Sequence, residues 1–135
     1  MKDSYTIFLV DDDFIFLEML KETLVDNPKY SIVTFQSGEE CINHLHFKPD
    51  IIVLDYNLNS ENPNAKNGLQ ILQEISRQLP ETRVIILSGQ EDGDLVYQFI
   101  RENATDYVVK DEDAFDNVRE SIEEIIFEVE QGIAE

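Results

Sequence analysis

Five short apolar runs, rich in β-branched and aliphatic residues, recur along the chain and are separated by longer, more polar segments. Runs of this length that are apolar at nearly every position are typical of β-strands buried on both faces of a parallel sheet. The predicted strands are 5–10, 30–35, 51–56, 83–87 and 106–109.

The segments between the runs carry apolar residues at helical spacing. Asp13 is placed to cap the first helix, and Ser37 with Glu40 three positions later has the pattern of a capping box. The predicted helices are 14–25, 38–45, 68–79, 95–102 and 115–131.

This strand–helix unit, repeated five times, predicts an α/β fold. The crossovers are long enough to join parallel strands, and right-handed crossovers distribute the helices over both faces of the sheet. We therefore predict a doubly wound, five-stranded parallel sheet of (βα)5 type. The 135 residues contain no internal repeat or linker, so one domain is expected.

The charge balance narrows the classes of partner. The chain has 10 basic and 29 acidic residues, a net charge of −19, which opposes direct binding to nucleic acid or to an anionic membrane surface. No apolar stretch reaches the ~20 residues of a membrane span, so membrane insertion is not expected. The single cysteine, Cys41, cannot form an internal disulfide, and a cytoplasmic location is expected.

Polar and charged side chains stand at the carboxyl ends of four predicted strands, where ligands bind in sheets of this kind. They are Asp11, Asp12, Asp13, Asp55, Ser88 and Lys110. Taken singly, each has a simple structural explanation as a helix cap, a turn residue or a surface lysine. Taken together, clustered carboxylates favour a hard cation such as Mg²⁺. A cation, a lysine and a hydroxyl around a carboxylate suit phosphoryl transfer, with Asp55 as the candidate nucleophile.

Four stretches of the sequence resemble the receiver domain of two-component response regulators, the CheY-like family. They are FLVDDD (8–13), IIVLDYN (51–57), VIILSG (84–89) and DYVVK (106–110). The resemblance covers about residues 5–127, and residues 128–135 would then extend the last helix. It implies a flavodoxin-like strand order of 2-1-3-4-5.

The resemblance also implies a magnesium site. Asp12 would ligate the Mg²⁺ ion directly and Asp11 largely through water. Asp55 would be both a ligand and the phosphoacceptor, and the backbone carbonyl of Asn57 would complete the metal shell.

Three further residues receive roles by resemblance. Ser88 would bind the phosphoryl group, Lys110 would pair with it, and Tyr107 would be the aromatic residue that turns inward on activation. Asn57 and Gln90 would flank the site at positions where family members tune hydrolysis.

The function that the resemblance implies is signalling by a domain that is not a conventional enzyme, although it promotes its own phosphorylation and dephosphorylation. A phosphohistidine of a sensor histidine kinase or histidine phosphotransfer protein would donate its phosphoryl group to Asp55. A surface formed by helix 4, strand 5 and helix 5 would then change its affinity for a downstream protein target, or form a homodimer.

Three features depart from the family pattern. Asp111 stands where proline usually follows the lysine, so a trans Lys110–Asp111 bond is expected. Asn103 stands near the usual glycine before the fifth strand, and asparagine tolerates left-handed geometry. The stretch 57–67 contains an insertion of about five residues, with Asn59 in place of the usual proline.

Other functions fit parts of the same pattern. A pseudo-receiver scaffold would keep the fold without turning over phosphate. A haloacid-dehalogenase-type phosphatase would use Asp11 as its nucleophile, although Phe14 and the short chain do not fit that family. A flavodoxin-like FMN site is disfavoured, because three aspartates after the first strand would repel phosphate.

The last helix carries a long apolar stripe. We expect its first half to pack on the sheet, and the part beyond Ile126 to extend past the sheet and serve dimerisation or partner docking. The stripe comprises Val118, Ile122, Ile125, Ile126, Val129 and Ile133.

Overall fold

A computed structural model describes residues 2–59, 62–89 and 93–132 of the protein. Five of its segments are β-strands, and each overlaps one of the predicted apolar runs. They are β1 (Tyr5–Val10), β2 (Tyr30–Phe35), β3 (Ile51–Asp55), β4 (Arg83–Ser88) and β5 (Asp106–Val109).

The strands form one parallel sheet in the order β2-β1-β3-β4-β5, which confirms the predicted fold class and strand order. Val10, the last residue of β1, is level with Leu54 of β3, and Ser88 at the end of β4 is level with Val109 of β5. Asp11, Asp55 and Lys110 are therefore brought to the same edge of the sheet.

Five helices cover the two faces, as predicted. They are α1 (Phe14–Leu24), α2 (Gly38–Asn43), α3 (Gly68–Gln78), α4 (Gly93–Arg101) and α5 (Ala114–Glu130). Alternate residues of the strands belong to different cores. Ile7 and Leu9 pack with α1 and α5, whereas Phe8 and Val10 pack with α2, α3 and α4.

The ends of three helices show how local sequence positions the elements. The Asp13 side chain accepts a hydrogen bond from the Phe16 amide at 3.1 Å, which confirms it as the cap of α1. Ser37 likewise accepts from the Glu40 amide. A complete capping box that the sequence reading missed, Asn67 with Gln70, begins α3.

Helix α2 is shorter than predicted. We expected it to continue through Leu45, but it ends at Asn43 and a 3-10 turn, Leu45–Phe47, follows. Lys48 then adopts left-handed geometry, with φ of 52°. Pro49 comes next, and a proline disfavours helical geometry in the residue before it.

Two departures from the family pattern have the expected backbone geometry. Asn103 is left-handed, with φ of 76°, and the Lys110–Asp111 peptide bond is trans. The left-handed turn at Asn103 lets Ala104 donate to the Phe99 carbonyl, so α4 closes directly before β5 begins.

Helix α5 corrects the expectation for the end of the chain. Ile126 and Val129 are partly buried against the core that contains β1 and α1, so this part of the stripe packs on the domain. Phe127 is 61% exposed. The helix ends at Glu130 and the chain turns at Gly132, which has φ of 73°; Ile133 lies outside the described residues. No helix among the described residues could span a bilayer.

Candidate functional site

Buried polar groups are concentrated at the carboxyl edge of the sheet. Asp11 and Asp55 are each 1% exposed and Ser88 is fully buried. Within the described part of the chain, these are three of the four buried polar or charged residues. Because burying a carboxylate without compensation is costly, this concentration points to a functional site.

Three carboxylates converge there. Asp11, Asp12 and Asp55 can each place one oxygen so that all three oxygens lie within 4.8 Å of one another. Asp11 and Asp55 are buried, whereas Asp12 is half-buried and opens the cluster toward solvent. Oxygen ligands with an open side fit Mg²⁺, which keeps several of its waters.

Lys110 supplies the nearest positive charge. Its Nζ lies 2.9 Å from Asp11 Oδ2 and 3.7 Å from Asp55 Oδ1. It also lies 4.3 Å from the ring centroid of Phe16, which stacks on Phe115. The sequence reading missed this aromatic support, whose only sequence signal is an aromatic residue in the first turn of α1.

The carboxylates of the cluster are only partly neutralised by the Lys110 ammonium, and the pKa values reflect this. Burial, followed by the charge of Asp11, raises the pKa of Asp55 to about 7 despite the nearby Lys110 ammonium. Burial also raises the pKa of Asp11, against the opposing effect of Lys110. For Lys110, burial lowers the pKa, but contact with Asp11 and Asp55 outweighs it and the pKa is raised.

The two buried aspartates differ in how their oxygens are used. Asp11 Oδ1 accepts from the Asp13 amide at 2.8 Å, and its Oδ2 forms the ion pair with Lys110 without the alignment of a hydrogen bond. Among the described residues, neither carboxylate oxygen of Asp55 has a hydrogen bond of good geometry, although the Asn57 amide acts to lower the pKa of Asp55 and Lys110 lies 3.7 Å from Oδ1. A buried carboxylate with only these loose contacts fits a metal ion and an incoming phosphoryl group.

Comparison with known proteins decides the family. The family model described as the response regulator receiver domain matches residues 7–123. This chain belongs to the response regulator receiver domain family. Such domains are parts of two-component signalling systems, and the CheY-like fold predicted from the sequence agrees with this assignment.

Curated relatives support the assignment. The chain is 28% identical to the chemotaxis protein CheY of Listeria monocytogenes over 118 residues, covering 87% of this chain and 94% of that protein. It is 26% identical to the transcriptional regulatory protein DegU of Brevibacillus brevis, covering 84% of this chain but 47% of DegU. This receiver domain spans less than half the length of the DegU, DctR and NreC proteins that it matches.

Solved receiver domains share the architecture. The signal receiver domain of a putative LuxO repressor protein from Vibrio parahaemolyticus superposes with a TM-score of 0.77 at 26% identity, covering 88% of this chain and 87% of that one. The response regulator domain of Thermotoga maritima CheB gives a TM-score of 0.72 at 27% identity, covering 96% of both chains.

Two of the remaining predicted residues lie on β4 and β5, the strands beyond β3 in the sheet. Ser88 ends β4, and its carbonyl accepts from the Lys110 amide at 2.8 Å, which ties the two positions together. Tyr107 is half-buried in β5 and its ring centroid lies 5.7 Å from that of Phe99. Asn57 follows Asp55 by two positions and is exposed; Gln90 lies outside the described residues.

The two ends of the insertion between β3 and α3 lie in contact with each other. The Gly68 amide donates to the Tyr56 carbonyl at 2.8 Å. A Cβ atom at Gly68 would lie 2.6 Å from Tyr56 Cα and 2.7 Å from the Asp55 carbonyl oxygen, so only glycine fits. The extra residues therefore leave Asp55 at the end of its strand.

Proposed function

We propose that this receiver domain accepts a phosphoryl group on Asp55 in a Mg²⁺-dependent reaction. The observation that carries the proposal is the buried Asp55 carboxylate at the carboxyl edge of the sheet, with Lys110 and two further carboxylates around it. The donor is a phosphohistidine of a sensor histidine kinase or a histidine phosphotransfer protein.

The transfer forms one bond and breaks another. An Asp55 carboxylate oxygen attacks phosphorus, and the phosphorus–nitrogen bond of the donor breaks; its electron pair stays on the imidazole nitrogen, which takes up a proton from water. The product is an aspartyl phosphate. Asp12, Asp55 and the backbone carbonyl of Asn57 would hold a Mg²⁺ ion, with Asp11 acting largely through water, and the ion would supply positive charge to the phosphoryl oxygens.

Lys110 and Ser88 act on the product in this proposal. The Lys110 ammonium is already 3.7 Å from Asp55, within reach of an oxygen on the new phosphoryl group. The Ser88 hydroxyl donates to a second oxygen, and Tyr107 turns toward the space that Ser88 leaves. Through these shifts the surface of α4, β5 and α5 changes its affinity for a downstream protein or for a second copy.

The competing nucleophile is Asp11, as in haloacid-dehalogenase-type phosphatases. Asp11 makes two close contacts, with the Asp13 amide at 2.8 Å and with Lys110 at 2.9 Å, whereas Lys110 lies farther from Asp55, at 3.7 Å. The structure therefore favours Asp55 over Asp11 as the attacking group.

Labelling with a small phosphodonor tests the proposal. Phosphoramidate with Mg²⁺ should phosphorylate the wild-type chain on Asp55, mapped by mass spectrometry after borohydride reduction. Asp55→Ala should take up no label, and Asp12→Ala should take up far less. Label on Asp11 would support the phosphatase, and a wild-type chain that neither binds Mg²⁺ nor takes up label would support the pseudo-receiver scaffold.

A further inference from the structure

The insertion after β3 is tied to α2 as well as to its own base. The Lys66 amide donates to Glu39 Oε2 at 3.0 Å, across 27 positions of sequence. Glu39 lies in the first turn of α2 and is half-buried. The contact is made to the main chain of Lys66, so it restrains the path of the insertion rather than one side chain.

A second anchor lies at the start of the insertion. Leu58 is 4% exposed and belongs to the core that contains α2 and α3. A Cβ atom at Gly38 would lie 2.4 Å from Ile71 Cγ1 and 3.3 Å from Leu58 Cδ1, so glycine lets α2 approach both. The insertion is thus held at Leu58, at Lys66 and at Gly68.

These anchors create a pocket beside the candidate site. It has a volume of about 550 Å³, and Asp12 lines it together with Ser37 and Glu39 of the α2 end and Leu58, Asn62 and Asn64 of the insertion. Asp12 is the half-buried carboxylate through which the cluster opens to solvent. The insertion therefore forms one wall of the space on the solvent side of that carboxylate.

The chemistry of the wall suits the outer shell of a hydrated cation. Mg²⁺ keeps several waters when few carboxylates bind it, and those waters donate hydrogen bonds to surrounding oxygens. Amide and carboxylate oxygens line this pocket, from Gln36, Asn62 and Asn64 as well as Asp12. Groups around a metal site that orient its ligands change metal affinity ~10–100-fold when they are removed.

We propose that Glu39 is a positioning residue that holds the Lys66 main chain and so fixes the insertion as a wall that tightens Mg²⁺ binding at Asp12. The proposal rests on the proposed function, because it takes the Asp11, Asp12 and Asp55 cluster as the Mg²⁺ site. It gives the insertion, which departs from the family pattern, a role in the strength of that site.

Two substitutions of Glu39 separate position from charge. Glu39→Gln keeps an oxygen that can accept from the Lys66 amide, and Glu39→Ala removes it. Glu40→Gln is the matched control, because Glu40 has the same charge in the same helical turn, does not line the pocket, and as glutamine can still accept from the Ser37 hydroxyl. Mg²⁺ affinity is measured by titration calorimetry, and protection of the Lys66 amide by hydrogen exchange, on the full chain.

We expect Glu39→Ala to weaken Mg²⁺ binding about tenfold and to speed exchange at Lys66. Glu39→Gln should stay close to wild type in both measurements, and so should Glu40→Gln. A wild-type chain that binds no Mg²⁺ would overturn the proposed function as well as this inference.

Two results would overturn the inference while leaving the proposed function intact. In the first, Glu39→Ala speeds exchange at Lys66 but binds Mg²⁺ as tightly as wild type, so the anchor is structural only. In the second, Glu39→Gln keeps Lys66 protected but binds Mg²⁺ as weakly as Glu39→Ala, so charge and not position matters.

Discussion

At the residue scale, Asp55 combines burial with too little counter-charge. One ammonium, that of Lys110, faces the two buried carboxylates of Asp11 and Asp55. The pKa of Asp55 is raised to about 7, first by burial and then by the charge of Asp11. A raised pKa means that the folded state disfavours the ionised form, so the site costs stability until a cation binds.

Asp55→Asn should therefore stabilise the metal-free domain. The unfolded chain releases this proton near the ordinary pKa of about 4, whereas the folded chain holds it until about 7, so wild-type stability falls as pH rises between those values. The variant has no ionisable group at position 55, so its stability does not fall in this way as pH rises. In EDTA at pH 8 we expect its free energy of unfolding, from urea denaturation, to exceed that of wild type by up to about 4 kcal/mol, since the shift is about three pKa units at ~1.4 kcal/mol each.

The stability difference between wild type and Asp55→Asn should depend on pH and on Mg²⁺. The difference should shrink toward pH 4, and Mg²⁺ should stabilise the wild type but not the variant, because only the wild type gains binding energy. Asp26→Asn, at an exposed position, is the control and should change little. A variant less stable than wild type in EDTA would contradict this account of the site.

At the element scale, the connections after the strands determine the geometry of the site. Asp13 begins α1 next to Asp11, and Asn67 with Gln70 begins α3 where the insertion ends. The start of α3, the insertion and the end of β3 meet at Gly68. A side chain at this position would collide with backbone atoms of Asp55 and Tyr56. Because this contact closes the base of the insertion, a longer insertion need not move Asp55.

Gly68→Ala tests this arrangement. The added methyl group must displace backbone, and overpacking of this kind costs about 1–3 kcal/mol. We expect a lower melting temperature together with weaker Mg²⁺ binding, because the end of β3 shifts. Gly93→Ala is the matched control, since nothing lies within 4 Å of a Cβ atom there. Unchanged stability and Mg²⁺ affinity in Gly68→Ala would show that the close approach is not needed.

At the scale of the whole molecule, the two cores hold together a strongly acidic chain. With 29 acidic and 10 basic residues, repulsion among surface charges opposes the compact state. The interleaved side chains of the sheet bury one core under α1 and α5 and another under α2, α3 and α4. Burial of apolar surface in both cores offsets this repulsion.

Added salt should therefore stabilise the metal-free domain. The screening length falls to ~10 Å at 0.1 M salt, so repulsion between distant carboxylates weakens. We expect the melting temperature in EDTA to rise with sodium chloride, and to rise equally in Asp55→Asn. A rise confined to the wild type would instead indicate sodium binding at the carboxylate cluster, and no rise would contradict the role given to surface repulsion.

The local pattern of residues was sufficient for the architecture. Apolar runs and helical spacing can be recognised within short windows of sequence. The five strands, their parallel pairing and the Asp13 cap could therefore be predicted before any contact was known. The left-handed geometry of Asn103 could be predicted for the same reason, because asparagine itself tolerates that geometry. The carboxylates at the ends of β1 and β3 could be brought together in prediction because parallel strands end at one edge.

Tertiary contacts decided what local pattern could not. Whether Val129 packs on the core depends on where α5 crosses the sheet, and the expectation that it would extend past the sheet was wrong. The Phe16 ring under Lys110, and the Lys66 amide on Glu39, join residues far apart in sequence, for which a single chain carries no periodic signal. The sequence by itself determined which groups stand at the edge of the sheet; packing decided that Asp55 would be buried beside Asp11, with Lys110 3.7 Å away.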